Sequence, residues 1–212
     1  MTNQHATEIA ALRREWGLLT NYPDALLADL VCRYSEPHRH YHTLDHLRAL
    51  LAHLGAHQEL AGDLPAITAA ICYHDAIYDT RRNDNELRSA DLARVALEPM
   101  GWRAPELDKV AAMILATQHH NPPAPDNDTI LFLDLDLSIL GAAPDVYGNY
   151  SRAIRREFEW VPDAAYAQGR KQVLTNFLKR DAIFKTPALR VLWEVSARAN
   201  LKRELSTLDA TR

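Results

Sequence analysis

The sequence predicts an all-α protein, and three observations predict it. Apolar residues recur at three- and four-residue steps along most of the chain, as they do in helices with one buried face. Glycine is scarce, seven in 212 residues. Only one run alternates at a period of two, so it has no second strand to pair with.

The elements follow in order. EIAALRREWGLL (8–19) and DALLADLVCRYS (24–35) carry helical periodicity, the second opening after Pro23. EPHRHYH (36–42) is a polar break. TLDHLRALLAHLGAHQEL (43–60) resumes the helix, with Leu44, Leu47, Leu51 and Leu54 as its core stripe and Thr43 as N-cap. Pro65 opens PAITAAICYHDAIY (65–78), and DTRRNDN (79–85) ends it. Further helices are expected over about 85–99, 105–118, 144–160, 163–181 and 187–206, with NPPAPDND (121–128) as the clearest loop. TILFLDLDLSILG (129–141) alternates as a strand does; for want of a partner it is read as helix.

The length suits one domain that buries roughly two thirds of its unfolded surface. A net charge of −4 leaves no footprint for nonspecific DNA or RNA binding. No stretch reaches 18 uninterrupted apolar residues, so no membrane span is expected. Cys32 and Cys72 form no CxxC pair, which points to a reducing cytoplasm rather than a disulfide framework.

Chemistry concentrates in three places. Within PAITAAICYHDAIY the only strongly polar ionisable groups are His74 and Asp75. A helix apolar nearly all round is buried, and a buried carboxylate requires a cation or a hydrogen-bond network. Helix geometry turns adjacent side chains about 100° apart, so the pair is expected to straddle an ion rather than touch. The alternative is a His–Asp pair satisfied by other side chains. Second, six of the ten histidines fall between residues 38 and 57. His42 and His46, four apart, share one side of a helix start. Asp45 reads as a solvated charge, His53 and His57 as surface or partly packed, and His38 and His40 as loop. Third, LDLDLSILG embeds Asp134 and Asp136 in an apolar run. As helix they lie about 200° apart and only one can face a given site; as strand both face one side.

The order H…HD…D resembles the HD superfamily of metal-dependent phosphohydrolases, in particular a group identified by sequence as predicted phosphohydrolases. EPHRHYHTLDHL, CYHDAIYDT, NELRSA, ATQHH, LDLDLSILG and YAQGRKQVLTNFLKR carry the resemblance, across residues 34–180. It implies a single-domain, HD-type helical bundle over 1–212, with a metal-site core at about 34–141 and helices at about 144–206 packing on it. It implies His46, His74 and Asp75 as metal ligands. DLS (136–138) is similar to the Asp-Leu-Ser of cyclic nucleotide phosphodiesterases, which selects Asp136 as the last ligand, with Asp134 as the alternate. YHTLDH resembles their YHNxxH signature, with Thr43 in place of Asn. By that likeness His42 is the general acid.

Two His and two Asp suit Mn, Fe, Mg or Zn in an open site. Asp79, four residues after Asp75, is placed to orient or deprotonate water; otherwise it is an exposed charge at a helix end. Arg81 and Arg82 are candidates for binding substrate phosphate, and His119, beside His120, for a substrate contact. The resulting expectation is metal-dependent hydrolysis of a phosphoester or phosphoanhydride bond in a small phosphorylated molecule, a nucleotide first of all. The alternatives are an HD-type di-iron oxygenase and a non-catalytic metal- or nucleotide-binding module.

Overall fold

The computed structural model describes residues 21–120 and 125–210, together with Thr7, Ile9, Ala10 and Arg13. Most of the helix expected at 8–19 and the first half of the 121–128 loop lie outside the described residues. Among those described the fold is all-α, with no strand. The helices are α1 (Asp24–Tyr34), α2 (Leu44–Ala56), α3 (Leu64–Tyr73), α4 (Asn85–Leu97), α5 (Ala104–Ala116), α6 (Asn127–Asp136), α7 (Pro144–Glu157), α8 (Asp163–Leu178) and α9 (Pro187–Ala210). Short 3₁₀ turns occupy Gln58–Leu60, Glu98–Met100 and Leu137–Gly141. No described helix is long and apolar enough to cross a membrane.

Contacts divide the chain into two units, Met1–Leu133 and Asp134–Arg212. In the first, α3 is the central element and packs against α2, α4 and α5. Every residue from Ala66 to Tyr73 is buried, as an all-round apolar helix requires. Its start is capped by the Asp63 carboxylate, which accepts the Ala66 N–H at 3.1 Å. Asp63 also takes the Lys109 ammonium at 3.1 Å, and Lys109 reaches Asp128 at 2.7 Å, tying α5 and the start of α6 to the head of α3.

The end of α3 departs from the expected helix over 65–78. Helix stops at Tyr73, and Ala76 turns back to donate its N–H to the Tyr73 carbonyl at 3.0 Å. No Gly or Pro breaks it. The carbonyls that a continuing helix would have satisfied have other donors. His74 Nδ1–H reaches the Ile71 carbonyl at 2.8 Å and the Tyr34 hydroxyl reaches that of Cys72 at 3.1 Å. Side chains thus satisfy the last-turn carbonyls that a helix leaves orphaned.

In the second unit, α7, α8 and α9 surround a core that includes Leu140, Tyr147, Leu174, Phe184 and Leu201. The segment that alternates in sequence is α6 followed by a 3₁₀ turn. Leu131, Phe132, Leu133, Leu135 and Leu137 are all buried, so its alternation reflects burial on every side, not a pleat. Cys32 is exposed and Cys72 buried, and neither is in a disulfide.

Candidate metal centre

Two segments of the first unit build the site. Thr43 is extended (φ −111°, ψ −176°) and occupies the N-cap of α2 without a side-chain capping bond. His46 therefore stands in the first turn, while His42 precedes the helix. Their rings still meet edge to face, centroids 5.7 Å apart. Opposite them, the turn leaving α3 presents His74 and Asp75.

His46 Nε2 and His74 Nε2 are 3.2 Å apart. Asp75 Oδ2 lies 2.9 Å from His74 Nε2 and 3.9 Å from His46 Nε2. The His46 and His74 side chains are only 2% and 1% exposed, whereas Asp75 is 19% exposed. The site is thus deep on its nitrogen side and open at the carboxylate. Adjacent side chains touch here, contrary to the helical expectation, because the helix has already ended.

Hydrogen-bond logic fixes one tautomer. The Ile71 carbonyl accepts only, so His74 Nδ1 must carry the proton that bonds it. A neutral His74 ring then turns its Nε2 lone pair toward Asp75 and His46. Two lone-pair donors face one another only around a proton or a cation. Ligands at about 2.0–2.2 Å from a metal stand about 3 Å apart when cis and about 4 Å apart when trans. The three observed separations fall in that range.

His42 sits one step outward, its Nε2 3.9 Å from Asp75 Oδ2 and its side chain 18% exposed. The Tyr78 ring stacks on it at 4.2 Å and the Tyr41 ring packs edge-on at 4.9 Å, fixing the imidazole plane. On the far side the Phe132 ring meets His74 edge-on at 5.8 Å. Asp136, half-buried, ends α6 four residues after Phe132, and a four-residue step returns to the same helix face. Asp134 has a different job. It is buried, and its two oxygens accept the backbone N–H groups of Lys185 and Thr186 at 2.5–3.1 Å. Burial raises the Asp134 carboxyl above its ordinary value, against the opposing pull of those N–H groups.

The remaining candidates are on loops. Asp79 lies beyond the helix, so the four-residue helical step from Asp75 does not apply. Its Oδ1 accepts the Arg81 N–H at 2.9 Å, and its backbone is bracketed by the Asn85 carboxamide at 3.2 and 2.9 Å. Ser89, one turn along α4, both accepts from and donates to the backbone of Ile77. Arg81 and Arg82 are exposed, and Arg82 grips Asp84 through a two-pronged pair at 2.7 and 2.6 Å. His119 is exposed in the turn after α5, which touches the same loop where Gln118 donates to the Asn83 carbonyl at 3.5 Å. Asp45 pairs with Arg48 in solvent. His38 Nε2–H donates to the Tyr78 carbonyl at 2.8 Å, giving that loop histidine a structural bond. Burial, with His57 nearby, lowers the half-buried His53.

Sequence reasoning missed Arg39. Its side chain is fully buried and donates to the carbonyls of His42 (3.2 Å), Asp75 (2.7 Å) and Ala76 (3.2 Å) and to Glu36 (2.9 Å). The only signal available was an arginine set inside the histidine-rich EPHRHYH run. No protein-family model, curated protein or solved structure matches this chain.

Proposed function

We propose that the chain is a metal-dependent phosphohydrolase acting on a phosphoester or phosphoanhydride bond of a small molecule such as a nucleotide, in a reducing cytoplasm. The observation that carries the reading is the convergence of His46 Nε2, His74 Nε2 and Asp75 Oδ2 within 2.9–3.9 Å of one another in a largely buried site. Asp136, which the Asp-Leu-Ser likeness selects, is the proposed fourth ligand. Mixed nitrogen and oxygen donors fit Mn, Fe, Mg or Zn. Bound there, such an ion supplies Lewis acidity to a phosphoryl oxygen and acidifies water. His42, oriented by Tyr78 and Tyr41 and open to solvent, delivers a proton to the leaving oxygen. Arg81, Arg82 and His119, on joined exposed loops, form the rim that receives substrate phosphate.

The test is the metal content of protein made in metal-replete medium, wild type against Asp75→Ala, followed by phosphate release from a nucleotide panel. About one metal per chain, lost in the variant, with phosphate release depending on it, is the expected result. Absence of binding even with added Mn²⁺ overturns the reading. Two irons per chain with oxygen consumption replaces it with the oxygenase chemistry.

A further inference from the structure

We infer that Arg39 is a positioning residue for the metal centre, setting the gap between its two halves. The inference rests on the phosphohydrolase reading above. His46 and His74 are 28 residues apart in sequence, and each of their segments borders the site with an irregular stretch. One is the extended entry to α2, the other the turn after α3. Irregular backbone has no ladder to hold it, so its carbonyls need named donors.

Arg39 supplies them to both segments at once. Nη1 donates to the His42 carbonyl and to the Asp75 carbonyl, and Nη2 donates to that of Ala76. Nε is held by Glu36 Oε2, so four of the five guanidinium N–H donors are engaged. The Tyr34 and Tyr78 rings flank its charge at 5.0 and 5.4 Å. Tyr34 also bonds the Cys72 carbonyl, and Tyr78 stacks on His42. The plane of one buried guanidinium thereby fixes the His42 backbone against the Asp75 backbone, and with them the distance across which His42 and Asp75 face each other.

Lysine keeps the charge but not the planar fork. Arg39→Lys can bond one segment or the other, not hold both in one plane. The expected result is a Mn²⁺ affinity lower by about 10- to 100-fold, the range typical for partners that orient metal ligands, with an altered visible spectrum of the Co²⁺-loaded protein. Arg103→Lys, an exposed arginine elsewhere, serves as the control.

A merely structural role lowers the melting temperature of Arg39→Lys while leaving the Mn²⁺ affinity and the Co²⁺ spectrum of the folded protein at wild-type values. That outcome overturns the inference and leaves the phosphohydrolase reading standing. Failure of the wild type to bind Mn²⁺ or Co²⁺ overturns both. Should the lysine variant not fold, Glu36→Ala releases one edge of the same guanidinium from a partly exposed carboxylate. A shifted Co²⁺ spectrum there supports the inference, and an unchanged one overturns it.

Discussion

Consecutive residues His74 and Asp75 meet side chain to side chain, Nε2 to Oδ2 at 2.9 Å. They do so because α3 ends at Tyr73, where His74 bonds back to Ile71 instead of letting Asp75 continue the helix. The contact sets His74 Nε2 against the Asp75 carboxylate, an arrangement that calls for a proton or a cation between them.

Asp75→Asn separates the fold from the metal. The carboxamide introduces an N–H donor where the carboxylate had none, and the His74 lone pair accepts it. Metal affinity is expected to fall by at least about 100-fold, beyond the usual effect of losing an outer partner. In EDTA the same variant is expected to stay folded and to melt within a few degrees of wild type, since a net hydrogen bond of about 1 kcal/mol is worth about 2–4 °C in a chain of this size. Calorimetric titration with Mn²⁺ and thermal melts in EDTA measure the two, and equal affinities would sink the assignment of Asp75.

Asp134 and Asp136 are predicted to fail differently. Asp134→Ala removes the acceptor of the part-buried Lys185 and Thr186 N–H groups, at about 1 kcal/mol for each hydrogen bond lost. Its folded fraction keeps its metal. Asp136→Asn loses metal and keeps its stability. Urea unfolding paired with metal content resolves the two, and metal loss in Asp134→Ala with Asp136→Asn still loaded would reverse the assignment.

The all-α fold was legible because helical periodicity is a local property, carried by stripes such as Leu44, Leu47, Leu51 and Leu54. The helix over 129–136 was legible only by elimination, because its alternating pattern has no partner strand. The end of α3 was not. His74 to Tyr78 continue an apolar, helix-compatible run, and what stops the helix is the pairing of its last carbonyls with His74, Tyr34 and Ala76. The misplaced end carried over to Asp79, whose expected role relied on a helical step that the chain does not take. Arg39 was illegible in another way. Its acceptors at Asp75 and Ala76 lie 36 and 37 residues away, and nothing in a lone arginine of a polar run distinguishes it from a solvated one.

Gly141 is needed for space. A Cβ there would stand 2.5 Å from Trp193 Cβ and 3.0 Å from its backbone Cα, neither of which can swing aside. Replacing glycine by alanine at a permissive site gains about 0.4–1 kcal/mol from the unfolded chain. Overpacking costs about 1–3 kcal/mol, so the clash wins. Gly141→Ala is expected to lower the urea midpoint without changing metal affinity, and a raised midpoint would contradict the close approach.

Glu204 anchors a buried polar network in the second unit. Arg170 grips it through Nε at 2.8 Å and Nη2 at 3.0 Å, Ser151 donates at 2.9 Å, and the Tyr147 hydroxyl donates to Oε2. Burial acts to raise this carboxyl, yet the bonds and charge of Arg170, with Tyr147 and Ser151, outweigh it and hold it below the ordinary 4.5. A depressed carboxyl contributes stability above its unfolded pKa and loses it as pH falls through the folded value. Glu204→Gln removes the partner of a buried cation, which costs about 3–5 kcal/mol near neutrality. The gap between wild type and variant is expected to narrow as pH falls below about 4.5. Arg170→Met combined with Glu204→Leu removes both charges together and is expected to be milder than either single change. Urea unfolding from pH 3 to 7 of wild type, Glu204→Gln, Arg170→Met, Glu204→Leu and the double variant checks these outcomes. A constant gap across that range would show that the Glu204 charge contributes nothing, and additive single costs would show that the pair is not coupled.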